Sequence, residues 1–321
     1  MTPEELRHAL EKSEVVKALP LACTDEGEAV KFLEAQRWGG VPACPHCGDT
    51  DVYQMVDAKT GERSKRYLWR CHGCKKQFTV RVGAIFEDSR IPLRHWCHAF
   101  WLACSSKKGV SALQIKRTLG VSYKSALFLM HRIRYVLEYG PEQPLTGIVE
   151  ADETYVGGKP RFHVTREHYG ENFRPKTPVA AMVQRGGSVR AEVIARVTAA
   201  TVGRVLRQHV DQSARLMTDE GTWYDKPGKA FASHETVCHK RYEYARGDVT
   251  TNTVEGFFSI VKRGLHGIYH SVSPKHLPLY MREFSFRYNT RKMNDGERVV
   301  AAIQAANGKR LMYREPERKA V

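Results

Sequence analysis

The chain has 321 residues, 42% hydrophobic and 27% charged, which is enough for two or three domains with their own cores and the wrong balance for a fibrous or disordered protein. No apolar run approaches the roughly 18 residues of a membrane span, and acids stand in the N-terminal MTPEELRHALEKSE where an export signal would be basic and then greasy, so a cytoplasmic protein with no membrane partner is expected. The 51 Lys and Arg against 35 acids leave a net charge of +16, which points to a polyanionic partner.

That surplus is localised. Residues 100–137 carry seven Lys or Arg and no acid, and residues 256–321 carry thirteen against five acids, while the other 217 residues are nearly neutral. Two clusters holding almost the whole excess favour nucleic acid over a uniformly solvated surface.

Residues 1–40 read as two short helices, the second opened by Asp25 and Glu28 ahead of Val30, Phe32 and Leu33 and stopped by Gly39-Gly40. From 41 to 90 the texture turns to Gly, Pro, Cys and short alternating runs (Asp51 to Val56, Lys65 to Arg70, Gln77 to Arg81), a small β unit. Residues 91–140 return to helical periodicity: a helix from Pro92, closed by Gly109, then two helices joined through Gly120-Val121 with Ser122 as N-cap. Pro141 and Pro144 mark a linker. Residues 145–293 alternate β-like runs with a helical run near Val202 to Val210, as an α/β domain does, and a basic tail is expected over 294–321.

Within the β unit, Cys44-Pro-His-Cys47 and Cys71-His-Gly-Cys74 are two Cys-x2-Cys pairs separated by 23 residues. Each pair delivers two thiolates to one point and the hairpin brings the pairs together, which predicts one structural Zn2+ with four protein ligands and no open position. His46 and His72 lie inside the loops as alternative ligands. Cys23, Cys97, Cys104 and Cys238 read as small core hydrophobes, and His234, Cys238 and His239 as packing or DNA-contacting residues in preference to a second metal site.

The Gly109 to Arg134 segment has the layout of a helix-turn-helix, whose second helix meets base edges with its first turn while neighbouring cations hold phosphates. Lys116, Arg117, Tyr123, Lys124, Arg132 and Arg134 are its predicted DNA contacts.

Three acids carry the chemistry. Asp152 closes the apolar run Gly147-Ile-Val-Glu-Ala-Asp, Asp219 closes Ala214-Arg-Leu-Met-Thr-Asp, and Glu255 lies near the start of an amphipathic helix. Two strand-end aspartates and a glutamate on a covering helix can converge on two Mg2+ or Mn2+ ions about 3.5–4 Å apart, the arrangement phosphodiester chemistry needs. Lys262 follows Glu255 by two helical turns on the same face, placed with Arg263 to hold a DNA phosphate. Strand alternation is expected to send Glu150 and Glu153 away from the metals.

Glu150-Ala-Asp152-Glu-Thr-Tyr-Val-Gly-Gly158-Lys, Thr218-Asp219-Glu and Thr251-Asn-Thr-Val-Glu255-Gly-Phe-Phe-Ser-Ile-Val-Lys262-Arg-Gly resemble the three acidic blocks of bacterial insertion-sequence DDE transposases of the ISXO-like type, which carry an N-terminal zinc ribbon. Tyr269-His270-Ser-Val-Ser-Pro-Lys-His276-Leu and Glu283-Phe-Ser-Phe-Arg-Tyr-Asn289 resemble that family's C-terminal block. The resemblance spans about residues 25–293. It implies a multidomain protein, α+β and α/β, in which a zinc ribbon and a helix-turn-helix segment precede an RNase H-like catalytic domain with a mixed five-stranded sheet. It further implies binding of element ends and target as double-stranded DNA, metal-dependent cleavage, transfer of the 3′-hydroxyl end, a homodimer or higher oligomer at synapsis, and a place on the nucleoid. Relatives of this type also place Asn at the third position, so Asn252 stands beside Glu255 as the alternative. Two other functions remain open to the sequence: a non-catalytic DNA-binding regulator, and an RNase H-class nuclease that cuts without joining.

Overall fold

The computed structural model describes residues 17–137, 143–157 and 176–312. The expected first helix (in large part), the Pro141 linker, Gly158-Lys159 of the first acidic block and the end of the basic tail lie outside the described residues. The chain divides into two compact units, residues 1–137 with 293–321, and residues 138–292.

In the first unit, helix α1 (Glu26–Trp38) starts at Asp25, whose carboxylate accepts the Glu28 N–H at 2.9 Å, and ends at Gly39 in the left-handed region at φ 60. Its face grips a three-stranded antiparallel sheet of β1 (Val52–Gln54), β2 (Trp69–Cys71) and β3 (Gln77–Phe78). Glu34 accepts the Trp69 indole N–H at 2.7 Å and a two-pronged contact from Arg63, and Trp38 packs edge-on against Trp69 and Phe78. Helix α2 (Leu93–Ser105) buries Trp96, Phe100 and Cys97, and α3 (Ala112–Leu119) and α4 (Tyr123–Val136) follow. Pro92 gives α2 no side-chain cap, so the carboxylate of Glu26 serves instead, accepting the N–H groups of Leu93 and Arg94 at 2.8 and 3.1 Å.

The segment expected as a tail departs from that expectation. Asn294 and Glu297 form a reciprocal capping box that starts a helix at Asp295–Gln304, which packs on α2 and α1. Beyond it, the Ile85 N–H donates to the Ala306 carbonyl, so the chain returns to the first unit's core.

The second unit is built on a mixed five-stranded sheet in the order β6-β5-β4-β7-β8, with β4 (Ile148–Val156), β5 (Thr177–Gln184), β6 (Val189–Val193), β7 (Arg215–Thr218) and β8 (Ser233–Thr236). β4, β5 and β6 pair antiparallel, and β7 and β8 run parallel to β4. This is the predicted RNase H-like arrangement. One face, through Val149, Ala151, Ala180 and Met182, buries Val202, Val205 and Leu206 of α5 (Ala199–His209). The other, through Val179, Ala181 and Val183, buries Val254, Phe257 and Val261 of α6 (Asn252–Gly264) and Met281 and Phe284 of α7 (Leu277–Asn289). The first unit's closing helix, Asp295–Gln304, is α8 in chain order. Among the described residues no helix is long and apolar enough to cross a membrane.

Candidate active site and metal centre

In the first unit the two Cys-x2-Cys turns are built alike. The residue after each second cysteine turns left-handed, Gly48 at φ 80 and Lys75 at φ 60, and its N–H returns to the carbonyl of the first cysteine. Cys44, Cys47, Cys71 and Cys74 thereby bring four Sγ atoms within 4.8 Å of one another, with Cys44–Cys74 and Cys47–Cys71 at 3.6 Å. A tetrahedron with Zn–S bonds of about 2.3 Å has edges of about 3.8 Å, so the donor set fits a structural zinc. The set is all thiolate; His46 and His72 are not in it.

Helices α3 and α4 meet around Gly120, left-handed at φ 66, and Ser122, whose hydroxyl accepts the Ser125 N–H at 3.1 Å. Lys116, Arg117, Tyr123 and Lys124 are exposed on them. Arg132 and Arg134 correct the sequence reading, because they are 6% and 1% exposed and cannot reach a phosphate. Arg132 instead donates to the carbonyls of Ile85, Glu87 and Leu311 at 2.9–3.0 Å. Charge counting could not separate a cation that ties backbone together from one that faces solvent.

In the second unit the ladder between β4 and β7 pairs Glu150 with Met217, and continuing that register by two residues sets Asp152 beside Asp219. β4 runs on to Val156, so Asp152 lies within the strand, at the point where β7 stops pairing. The Asp152 carboxyl is pushed up to about 7 by burial and then by the negative charges of Glu153, Asp219 and Glu255. The three predicted acids therefore share one electrostatic neighbourhood. Their oxygens are not as tightly clustered as the thiols: among the described residues the four cysteines are the one such group within 4.8 Å. Ligands for two separate ions need not meet at one point.

Glu255, in the first turn of α6, accepts the Thr251 hydroxyl at 2.9 Å and lies 3.6 Å from His239 Nε2. An open groove of about 690 Å³ is lined by Asp152, Glu153, Glu255, Ser259, Lys262, Arg263 and His266. Its acids lie at one end of the α6 face and its cations two turns on. Neither Asp219 nor Asn252, which is exposed at the helix start, is among the residues lining the groove. His234 bonds the Thr218 hydroxyl at 2.9 Å and His239 approaches Thr251 and Glu255, so these histidines pack against the acid-bearing segments without forming a second metal cluster among the described residues.

Of the two flanking glutamates, Glu150 departs from the expected alternation and Glu153 follows it. Glu153 does face the other side of the sheet, where it accepts the Tyr224 hydroxyl at 2.7 Å, but at the sheet's rim it still raises Asp152. Glu150 shares the face of Asp152 and is fully buried. Its oxygens accept the Thr253 N–H (2.7 Å), the Thr253 hydroxyl (2.8 Å), the Val254 N–H (3.1 Å) and Arg185 Nε (2.6 Å). It thus caps α6, which has no side-chain cap of its own, and Arg185 extends the clamp to the carbonyls of Asp248 and Thr250.

With this geometry in view, residues 144–289 match the ISXO2-like transposase domain and residues 24–77 match the transposase zinc-ribbon domain. Both matches are to transposase domains, and in this chain the zinc-ribbon match precedes the transposase-domain match. It is 29% identical, over 295 residues covering 88% of this chain and 97% of the other, to a protein described as an uncharacterized protein in transposable element ISH50 of Halobacterium salinarum.

Proposed function

We propose that the protein binds insertion-sequence ends as duplex DNA, cuts the phosphodiester there and joins the freed 3′-hydroxyl end to target DNA. The observation that carries this reading is Asp152 within β4, Asp219 just past the end of the neighbouring parallel strand β7 and close enough to raise Asp152, and Glu255 on the covering helix, with Asp152 and Glu255 lining a groove whose far end is cationic. Three carboxylates supply hard oxygen donors whose mutual repulsion a divalent cation relieves, so the donor set suits Mg2+ or Mn2+. Bound there as a pair, such ions supply activation of the attacking oxygen and neutralisation of the leaving oxygen in an in-line displacement.

The protein's own part is positioning. Lys262 and Arg263 hold the phosphates flanking the scissile bond, and Glu255 takes the third ligand position with Asn252 in support one turn earlier. Hydrolysis at the element end and attack by the 3′-hydroxyl use the same groove in succession. In the first unit, Lys116, Arg117, Tyr123 and Lys124 read the element end as a helix-turn-helix, and the zinc ribbon adds surface for the same DNA. Two ends must be held together for joining, so the working form is a dimer or larger, in the cytoplasm on the nucleoid.

The test is a strand-transfer assay on duplexes carrying the terminal sequences of the element, with Mg2+ or Mn2+. The unaltered protein is expected to give cleaved and joined products, while Asp152→Ala and Asp219→Ala bind ends and yield neither. Cleavage without joining would replace the reading with a nuclease. End binding without either product would leave a DNA-binding regulator.

A further inference from the structure

The segment between the second and third acids carries a feature that the proposed chemistry leaves unused. After a 3-10 turn at His239–Arg241, Tyr242 turns left-handed at φ 60, and the hairpin of β9 (Ala245–Arg246) and β10 (Val249–Thr250) leads into α6. Tyr242 is 84% exposed, the most exposed large apolar side chain among the described residues, and Tyr244 is 57% exposed. Lys240 and Arg241 precede the two rings and Arg246 follows them, all exposed, with Lys240 4.0 Å from Glu220. The one acid within the loop, Glu243, is engaged by the Cys238 N–H and by Arg246.

The loop is fastened at its root to the acid-bearing elements. The His239 N–H donates to the carboxylate of Glu220, the neighbour of Asp219, at 2.8 Å. The His239 imidazole lies 3.4 Å from the Thr251 hydroxyl and 3.6 Å from Glu255, and its ring rests against Tyr244 with centroids 5.3 Å apart. A tyrosine held left-handed and almost wholly in water gains nothing for folding. Two rings flanked by three cations suit a ligand with flat π-faces strung on phosphates. Paired bases in a duplex offer their edges in the grooves, so a ring face demands a base that is out of the stack.

We propose that residues 239–246 form a stacking platform for an unpaired DNA strand beside the scissile phosphate, with Tyr242 and Tyr244 against bases and Lys240, Arg241 and Arg246 on phosphates. This rests on the reading that the second unit acts on DNA.

The test uses the full-length protein without divalent cation, a fluorescent 12-nucleotide oligothymidylate and a duplex of equal length. Base stacking on aromatic rings is lost with the rings, so Tyr242→Ala/Tyr244→Ala is expected to weaken oligothymidylate binding tenfold or more while duplex affinity changes less than twofold; Tyr242→Phe/Tyr244→Phe retains both. A second oligonucleotide carrying 5-iodouracil is expected to photocrosslink within 239–246. Equal losses on single strand and duplex, a phenylalanine variant as weak as the alanine one, or adducts confined to other segments would each overturn the proposal. No cutting is required in either measurement, so the strand-transfer assay and this one fail separately.

Discussion

The buried carboxylate of Glu150 accepts both the backbone N–H and the hydroxyl of Thr253, 103 residues further along the chain. Because Asp152 lies two residues on from Glu150 and Glu255 two residues on from Thr253, this contact sets the distance between the first and third acids. Arg185, on the neighbouring strand end, braces the same carboxylate and the backbone leading into α6.

Glu150→Gln keeps the shape but removes the charge and turns an NH2 toward N–H donors. Breaking one side of a buried ion pair costs about 3–5 kcal/mol, so the variant is expected to unfold at clearly lower urea and to lose strand transfer. Glu153→Gln, which disturbs one bond to Tyr224, should be milder in urea. Equal unfolding midpoints for Glu150→Gln and the unaltered protein would refute the clamp.

The acid neighbourhood makes a prediction about pH. In the protein without divalent cation, Asp152 holds its proton up to about 7, whereas in the unfolded chain it releases it near 4. The native state thus binds more protons across that window, and stability falls as pH rises through it, the loss being complete above about 7. Asp152→Asn removes the repelled charge. In magnesium-free buffer its melting temperature is expected to exceed that of the unaltered protein at pH 8, with the gap closing toward pH 5. A gap that is constant with pH would show that Asp152 is not raised.

Arg132 and Lys124, eight residues apart on α4, should separate cleanly. Arg132→Met strands carbonyls at Ile85, Glu87 and Leu311 and is expected to lower stability by about 1–3 kcal/mol. Lys124→Ala should leave stability alone and reduce the slope of log affinity against log salt by about 1 on duplex DNA. An unchanged slope would remove Lys124 from the interface.

For the zinc centre, Cys71→Ser is expected to abolish stoichiometric zinc in metal analysis. It should also shift tryptophan emission to the red, since Trp38 and Trp69 pack beside the cluster. Full zinc occupancy in the variant would end the four-thiolate assignment.

Much of this was legible from residue spacing. The Cys-x2-Cys pairs carry their geometry locally, and the apolar runs ending in Asp152 and Asp219 follow two strands, one of which runs on past Asp152 while the other stops at Thr218. Glu150 was misjudged because its role depends on a helix that follows a hundred residues later, which no local periodicity encodes. Arg132 and Arg134 were misplaced because a cation's sequence neighbours do not reveal distant carbonyls. Helix α8 was different: Asn294 and Glu297, followed by Val299, Ala302 and Ile303, spelled a capped amphipathic helix that the surrounding basic residues obscured.

The packing of α8 on α2 makes the first unit discontinuous in sequence, with the whole second unit inserted into it. The two units are joined by two strands of chain instead of one. A chain truncated after Leu137 would strip the apolar faces of α1 and α2 of the helix that covers them, and is expected to aggregate. A fusion that deletes 138–292 and joins Leu137 to Met293 through a flexible linker keeps every described helix of that unit, and is the form in which its DNA binding can be measured apart from catalysis.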